Sequence, residues 1–308
     1  MRIDFAAGDS NPGAEDFSSA VTGRIVVVAN PGAGNHDKDT IASVVKKLRG
    51  HGCHVEIVES HDADHIDEIA RTIDARAILI AGGDGSISEA VGGLLKRSGP
   101  RPVLGVIPQG TANVLAHDLG LPSDASGLAD VFLRGRVAPL HIGVANGRPF
   151  ILMASAGFDA EVVRRVEKRL KTLTGKFAYA YAAAKAAFSY GNHDIEVTAD
   201  DARFLAKLAV VTNSRCYGGN FVIDKETSAL APGLKLIYAR EFSLLALIRL
   251  SAAMLMGKLG DLPLLERMPV RNVQLRSQRE VATQVDGDVL GTTPVTVSEC
   301  PETVEIFV

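Results

Sequence analysis

Four short apolar runs, 25–29, 55–58, 77–81 and 103–107, alternate with segments whose apolar residues recur every three or four positions. Ile41, Val44, Val45 and Leu48 fall at helical spacing between the first two runs. Ile66, Ile69, Ala70 and Ile73 do so before the third, and Ile87, Ala90, Val91, Leu94 and Leu95 before the fourth. Continuous apolar strands are buried on both sides, so helices must cover both faces of one parallel sheet. That alternation predicts an α/β domain over 23–138.

The pattern changes near Pro139. Alternating or β-branched strand segments follow at 150–154, 194–198, 204–212, 234–239, 270–275, 281–285 and 295–297. Longer helical stretches interrupt them at 160–189 and 243–258. This predicts a second domain over 139–302, dominated by antiparallel sheet. A last strand, 303–308, is able to pair in either domain. With 308 residues and 46% hydrophobic content, the chain can build two ordinary cores. Residues 1–22 are polar, lack the apolar core of a signal peptide, and read as a mobile tail. No apolar run reaches transmembrane length.

A net charge of −3 argues against a general nucleic-acid binder. Cys53, Cys216 and Cys300 are too scattered for a disulfide framework or a zinc site and suit a reducing cytoplasm. His51, His54, His61 and His65 are close in sequence, but a solvated connection accounts for them without zinc.

Three turns share one predicted position, the C-terminal end of a parallel strand: Asn30-Pro31-Gly32-Ala33-Gly34, Gly82-Gly83-Asp84-Gly85 and Pro108-Gln109-Gly110-Thr111-Ala112-Asn113. In an open sheet such turns line one crevice, where ligands bind. Glycines allow backbone N–H groups close to a phosphate, and helix N-termini after the second and third turns would add their dipoles. Asp84 stands where a metal-bound polyphosphate would want a carboxylate. Ser86 and Thr111 can add hydroxyls, and Glu89 either orients the glycine turn or complements the helix dipole. No Walker-type Gly-x-x-x-x-Gly-Lys motif is present, nor a dinucleotide Gly-x-Gly-x-x-Gly after the first strand.

These residues resemble the diacylglycerol kinase catalytic-domain family, which includes sphingosine kinases and soluble bacterial lipid kinases. The resemblance continues from the glycine turn through Ser86-Ile87-Ser88-Glu89-Ala90-Val91-Gly92-Gly93-Leu94. Further matches are Ser155-Ala156-Gly157-Phe158-Asp159-Ala160, Tyr217-Gly218-Gly219-Asn220-Phe221 and Asp286-Gly287-Asp288. It implies a nucleotide domain with an NAD kinase/phosphofructokinase-like parallel sheet and a C-terminal antiparallel β-sandwich-like domain with helices, the active site lying between them. It also implies an ATP-dependent lipid kinase using Mg2+, with diacylglycerol as the leading acceptor. The sequence departs from the family pattern at Ser86, Ser88, Val114 and Asp288. The positions of a structural magnesium site seen in some members are Ala229, Ala231 and Pro232, so that site looks lost.

On this basis Asn30, Gly32, Gly83, Gly85, Ser86, Glu89, Thr111 and Asn113 are expected around the nucleotide. Asp84 and Asp288 are expected on the metal side, Asp286 as general base assisted by Asp288, and Asp159 on the acceptor side. The plainer readings are a hairpin turn for Asp286-Gly287-Asp288, a helix-start acid for Asp159 and a cap for Gly110-Thr111. Two surfaces could meet an anionic membrane. One is a helical face carrying Leu244, Leu245, Ile248, Ala252, Leu255, Met256 and Leu259. The other is a basic stretch of Arg164, Arg165, Lys168, Arg169, Lys171 and Lys176 before Phe177, Tyr179 and Tyr181. A core helix and a solvated face are the alternatives. The expected partner is a lipid substrate at a membrane surface, met from the cytoplasm at the inner face, with no nucleic acid and a homodimer left open. The alternative functions are a non-catalytic nucleotide- or lipid-binding regulator and a kinase of a soluble acceptor such as NAD.

Overall fold

The computed structural model describes residues 23–34, 37–61, 63–169 and 193–308. The expected tail at 1–22 lies outside these residues. So do Lys171, Lys176, Phe177, Tyr179 and Tyr181, together with the side chains of Arg165, Lys168 and Arg169.

Strands β1 (Arg24–Ala29), β2 (His54–Glu59), β3 (Ala77–Gly82) and β4 (Val103–Pro108) form the parallel part of one sheet. Successive strand residues point to opposite faces, and both faces are covered. Val26, Val28, Ile78 and Ile80 pack with Ile66, Ile87, Val91 and Leu94 from α2 (Ala63–Thr72) and α3 (Asp84–Leu95). Ile25, Val27 and Leu79 pack with Val44, Leu48, Leu128 and Phe132 from α1 (Lys38–Gly50) and α5 (Ala125–Arg134). Side chains fix two of these helix starts: Asp37 accepts the N–H of Asp39, and Asp124 that of Gly127. A six-residue helix, α4 (Val114–Leu119), follows β4.

The sheet ends on a strand from the far end of the chain. The order is β2-β1-β3-β4-β20-β5, where β20 is Val304–Phe307 and β5 is Val137–Leu140. β20 runs parallel to β4 and antiparallel to β5. The expected break at 138/139 falls inside β5, since Pro139 pairs with Glu305.

Two antiparallel sheets make up the sandwich. One runs β10-β9-β16-β19-β6-β7, with β6 Gly143–Ala145, β7 Arg148–Phe150, β9 Ile195–Ala199, β10 Ala202–Ala206, β16 Asn272–Arg276 and β19 Val295–Glu299. The other runs β15-β14-β11-β8-β17-β18, with β8 Met153–Gly157, β11 Leu208–Thr212, β14 Leu234–Ala239, β15 Glu266–Val270, β17 Ala282–Val285 and β18 Asp288–Thr292. Ala154, Val211, Leu236 and Val285 of the second meet Val197, Val273, Leu275 and Val297 of the first. The other face of the second sheet, with Met153, Val210 and Ile237, joins the core under α2 and α3 and so ties the domains together. A small hairpin, β12 (Cys216–Tyr217) and β13 (Phe221–Val222), and helices α6 (Phe158–Arg169) and α7 (Leu244–Leu255) complete this half.

Three expected strands are each two strands. The run 204–212 breaks at Lys207, where the chain passes from one sheet to the other, and 270–275 breaks at Arg271 for the same reason. The run 150–154 breaks at 151–152 because the N–H groups of Ile151, Leu152 and Met153 all turn onto the Asp286 carboxylate.

Candidate active site

From β1 the chain passes to β2 on one side, while β3 lies on the other, so the sheet's topological switch point falls between the ends of β1 and β3. The three glycine-bearing turns meet there. Asn30 Nδ2 donates to Ser86 Oγ at 2.9 Å, and Asn30 Oδ1 accepts the N–H of Gly32 at 2.9 Å. Asn113, at φ 47°, closes the third turn by accepting the N–H of Gly110 and donating back to its carbonyl. A Cβ on Gly110 would lie 2.6 Å from Gly83 Cα, so the second and third turns touch backbone to backbone, and only glycine permits this. A Cβ on Gly34 would lie 2.7 Å from Thr111 Oγ1, which brings the first turn to the third.

These contacts reassign several expected phosphate ligands. Gly32 and Gly110 spend their N–H groups inside the turns, and Ser86 is buried as the acceptor for Asn30. Thr111 is exposed at the mouth. Gly83 is the N-cap of α3 and has no side chain to cap it. The first-turn N–H groups of a helix have no acceptor within it, so α3 presents its N-terminus to the crevice, and Gly85 leaves open space there. Glu89 is the sixth residue of α3, past the first turn where the dipole acts, so it does not serve as a dipole complement.

Asp84 is not placed as a metal-side carboxylate. Its Oδ2 accepts the N–H of Val114 at 2.9 Å and its Oδ1 that of Leu115 at 3.0 Å, so it caps α4 from a different helix. The N-terminus of α4 is therefore occupied, contrary to the expectation that it would face a ligand. Burial raises the Asp84 pKa, and the N–H groups of Leu115 and Val114 and the nearby His117 oppose the rise.

Asp286 does the equivalent work in the second domain. Its Oδ1 accepts from the N–H groups of Leu152 and Met153, and its Oδ2 from Ile151 N–H and, across the domain junction, from Ser88 Oγ at 2.9 Å. Four donors fill the acceptor positions of a carboxylate, so Asp286 has no open face toward a substrate. Its φ of 50° follows from the tight turn between β17 and β18. Desolvation outweighs the four donors and pushes its pKa from 3.8 up to about 6.

Ser88 lies on the wall of a cleft of about 600 Å3 between the domains. Gly85 and Glu89 of α3 and its C-cap Lys96 line the same cleft, facing Arg148 and Asp288 from the sandwich. Asp288 is exposed and pairs with Arg148 at 2.5 Å. Among the described residues there is no group of three or more His, Cys, Asp or Glu side chains able to hold a metal alone. Magnesium at phosphate sites takes only one or two carboxylates, with phosphate oxygens and water supplying the rest, so Asp288 and Glu89 are a fitting protein share.

Asp159, in the first turn of α6, does not cap its helix. Its carboxylate accepts from Tyr217 Oη, from Ser155 Oγ and from Gln284 Nε2 at 3.0 Å. Gln284 Oε1 accepts the N–H of Gly287 at 2.8 Å, so one buried glutamine connects Asp159 to the Asp286-Gly287-Asp288 turn.

The sequence reading missed Gln284, Arg148 and the positioning work of Ser88. Gln284 carried a signal, since a glutamine inside the apolar run 281–285 must find partners once buried. It also missed a strap between the domains. Buried Asp118 of α4 accepts the N–H groups of Arg215 and Ala229 and pairs with the Arg215 guanidinium at 3.2 Å.

A mixed parallel sheet with glycine turns at its switch point, closed by an antiparallel sandwich that brings Asp288 to the shared cleft, suits a phosphate-bearing ligand. Residues 24–145 match the diacylglycerol kinase catalytic domain, and 153–308 match the YegS C-terminal NAD kinase beta sandwich-like domain. The chain belongs to the diacylglycerol kinase catalytic-domain family of lipid kinases. It is 29% identical over 279 residues to the diacylglycerol kinase of Bacillus subtilis (strain 168), covering 88% of this chain and 91% of that one. A diacylglycerol kinase of Staphylococcus epidermidis (strain RP62A) is 30% identical over 235 residues, 75% of this chain and 73% of that one. The crystal structure of a diacylglycerol kinase from Bacillus anthracis str. Sterne shares the fold at a TM-score of 0.68 and 17% identity, over 92% of this chain and 96% of that one. Another structure from that organism reaches a TM-score of 0.76 at 18% identity, over 92% and 94% of the two chains.

Proposed function

We propose that the protein transfers the γ-phosphoryl group of ATP to the hydroxyl of diacylglycerol in the cleft between its domains. One observation carries this reading: the hydrogen bond from Ser88 to Asp286, which joins the glycine-turn helix of one domain to the acid turn of the other at the cleft wall. The triphosphate lies over the N-terminus of α3, against Gly83 and Gly85, with the Thr111 hydroxyl at the mouth. Asn30, Ser86 and Asn113 hold the turns in register and do not touch the phosphates. Bound Mg2+ would neutralise charge on the phosphates, held by Asp288 with Glu89 beside it.

The acceptor hydroxyl gives its proton to Ser88 Oγ as the Ser88 proton passes to Asp286 Oδ2. The acceptor oxygen bonds to the γ-phosphorus, and the bond from that phosphorus to the β–γ bridging oxygen breaks, leaving ADP with the electron pair. A carboxylate with a pKa of about 6 is a base suited to neutral pH. Asp159, held by Ser155, Tyr217 and Gln284, stands on the acceptor side of the same turn. The three cysteines are free thiols and no described helix is long and apolar enough to cross a membrane. These observations suit an enzyme that reaches its lipid from the cytoplasm at the inner face of the membrane.

The test is phosphatidate formation by purified protein with ATP, Mg2+ and dispersed diacylglycerol. Transfer of phosphate to no member of a broad lipid panel would end this reading, and turnover of NAD alone would replace it.

A further inference from the structure

We propose that the outer face of α7 is the surface by which this kinase sits on an anionic bilayer. The inference rests on the reading that the acceptor is a lipid hydroxyl. Helix α7 has two apolar faces. Leu247, Leu250 and Met254 pack inward on the core that contains Phe158 and Phe242, whose rings lie 4.9 Å apart, and Ala246 and Ala253 are buried. The opposite stripe is open to solvent: Leu245 is 55% exposed, Ile248 57%, Leu255 86% and the C-cap Met256 63%. The spacing of these positions puts them along one side of the helix. The expected apolar face is thus corrected in part, because Leu259 is buried elsewhere.

Among the described residues six large apolar side chains are exposed, and four of them are these. Such a concentration on one element marks an interaction surface, whereas scattered exposed leucines do not. Charge selects the occupant. From its N-cap Ser243 to its C-cap Met256, α7 carries Arg249 and no acidic residue; Lys258 follows, and the acids that flank the segment are Glu241 and Asp261, the latter paired with Lys225. Arg249 and Lys258 are exposed, and Arg249 lies within the stripe, four residues after Leu245. An apolar stripe with cations fits the headgroup and acyl boundary of an anionic membrane. The location suits a lipid acceptor. Phe242, two residues before α7, packs on Phe158, the chain neighbour of Asp159, with ring centroids 4.9 Å apart, so α7 starts beside the acceptor side of the site.

The chain contains no tryptophan, so a single introduced one reports its own surroundings. The Leu255→Trp variant should blue-shift and be quenched by brominated lipid on adding phosphatidylcholine vesicles containing phosphatidylglycerol. An Ile57→Trp control on β2, in the other domain, should not respond. Replacing Ile248 and Leu255 together by serine should lower vesicle partitioning at least about tenfold, because two large side chains leave the apolar layer. Arg249→Gln should lower it about fivefold on anionic vesicles only. Turnover of a short-chain diacylglycerol presented as monomer should be unchanged in all variants.

Wild-type protein that ignores anionic vesicles, or serine variants that partition like wild type, would overturn the proposal. So would a dimer in light scattering that the serine variants dissociate, since the stripe would then join two copies. Vesicle binding as described, with no turnover of the monomeric substrate, would sustain the docking surface and remove the kinase reading.

Discussion

Asp84 and Asp286 belong to the two domains that flank the cleft and do the same structural work. Each gathers backbone N–H groups from a neighbouring segment: Val114 and Leu115 for the first, Ile151, Leu152 and Met153 for the second. Each has its pKa raised by burial. The difference that matters is a donor from the other domain. Asp84 is closed within its own domain, whereas Asp286 also accepts from Ser88 across the junction and thereby reaches the cleft. An acid flanked by glycines therefore does not by itself mark the chemistry; the hydroxyl that connects it to the cleft does.

Removing each acid tests that comparison most severely. Asp286→Ala leaves three N–H groups and a hydroxyl without an acceptor and should cost about 4 kcal/mol of stability in urea unfolding. Asp84→Ala strips the cap from one short helix and should cost about 2 kcal/mol. A reversed order would break the comparison. Next, Ser88→Ala should lower kcat about a hundredfold, the range of positioned proton transfer, while costing only about 1 kcal/mol of stability. An equal loss of kcat in Asp84→Asn would erase the distinction between the two acids.

The pH dependence of stability is a finer test. The native state holds the Asp286 proton up to about pH 6, whereas the unfolded chain releases it near 3.8. Across that window the native state binds more protons, so this group's contribution to stability falls as pH rises from 3.8 to about 6 and is flat above. Asp286→Asn should remove that slope, which urea midpoints across the window would reveal. The smallest expected effect is that of Asp288→Asn. Its pair with Arg148 is exposed, so stability should change by less than about 1 kcal/mol, and the mark of the variant should be a higher Mg2+ requirement in a titration of rate.

Much of this was legible in the sequence. The alternating periods over 25–107 reported the parallel sheet, because packing helices on both faces demands that pattern. The three glycine turns reported their own convergence, since Gly83 and Gly110 meet only if neither has a Cβ. The roles of the acids were not legible. Val114 looks like an ordinary apolar helix residue, and nothing local says that its N–H will be capped by a side chain thirty positions earlier. The bond between Ser88 and Asp286 spans 198 positions and exists only after the domains close. Likewise, the sequence leaves both a membrane-facing side and a core helix open for 243–258, because it does not say that α7 has core on one side only.

The pH profile of kcat/KM for the wild type and Ser88→Ala tests the central claim most directly. The wild type should lose activity below an acid limb near pH 6, set by Asp286. The variant should have a plateau lowered about a hundredfold and its limb moved to higher pH, because the Ser88 hydrogen bond holds the Asp286 pKa down. A Ser88→Ala profile that keeps both the plateau and the limb of the wild type would contradict the proton path from the cleft through Ser88 to Asp286.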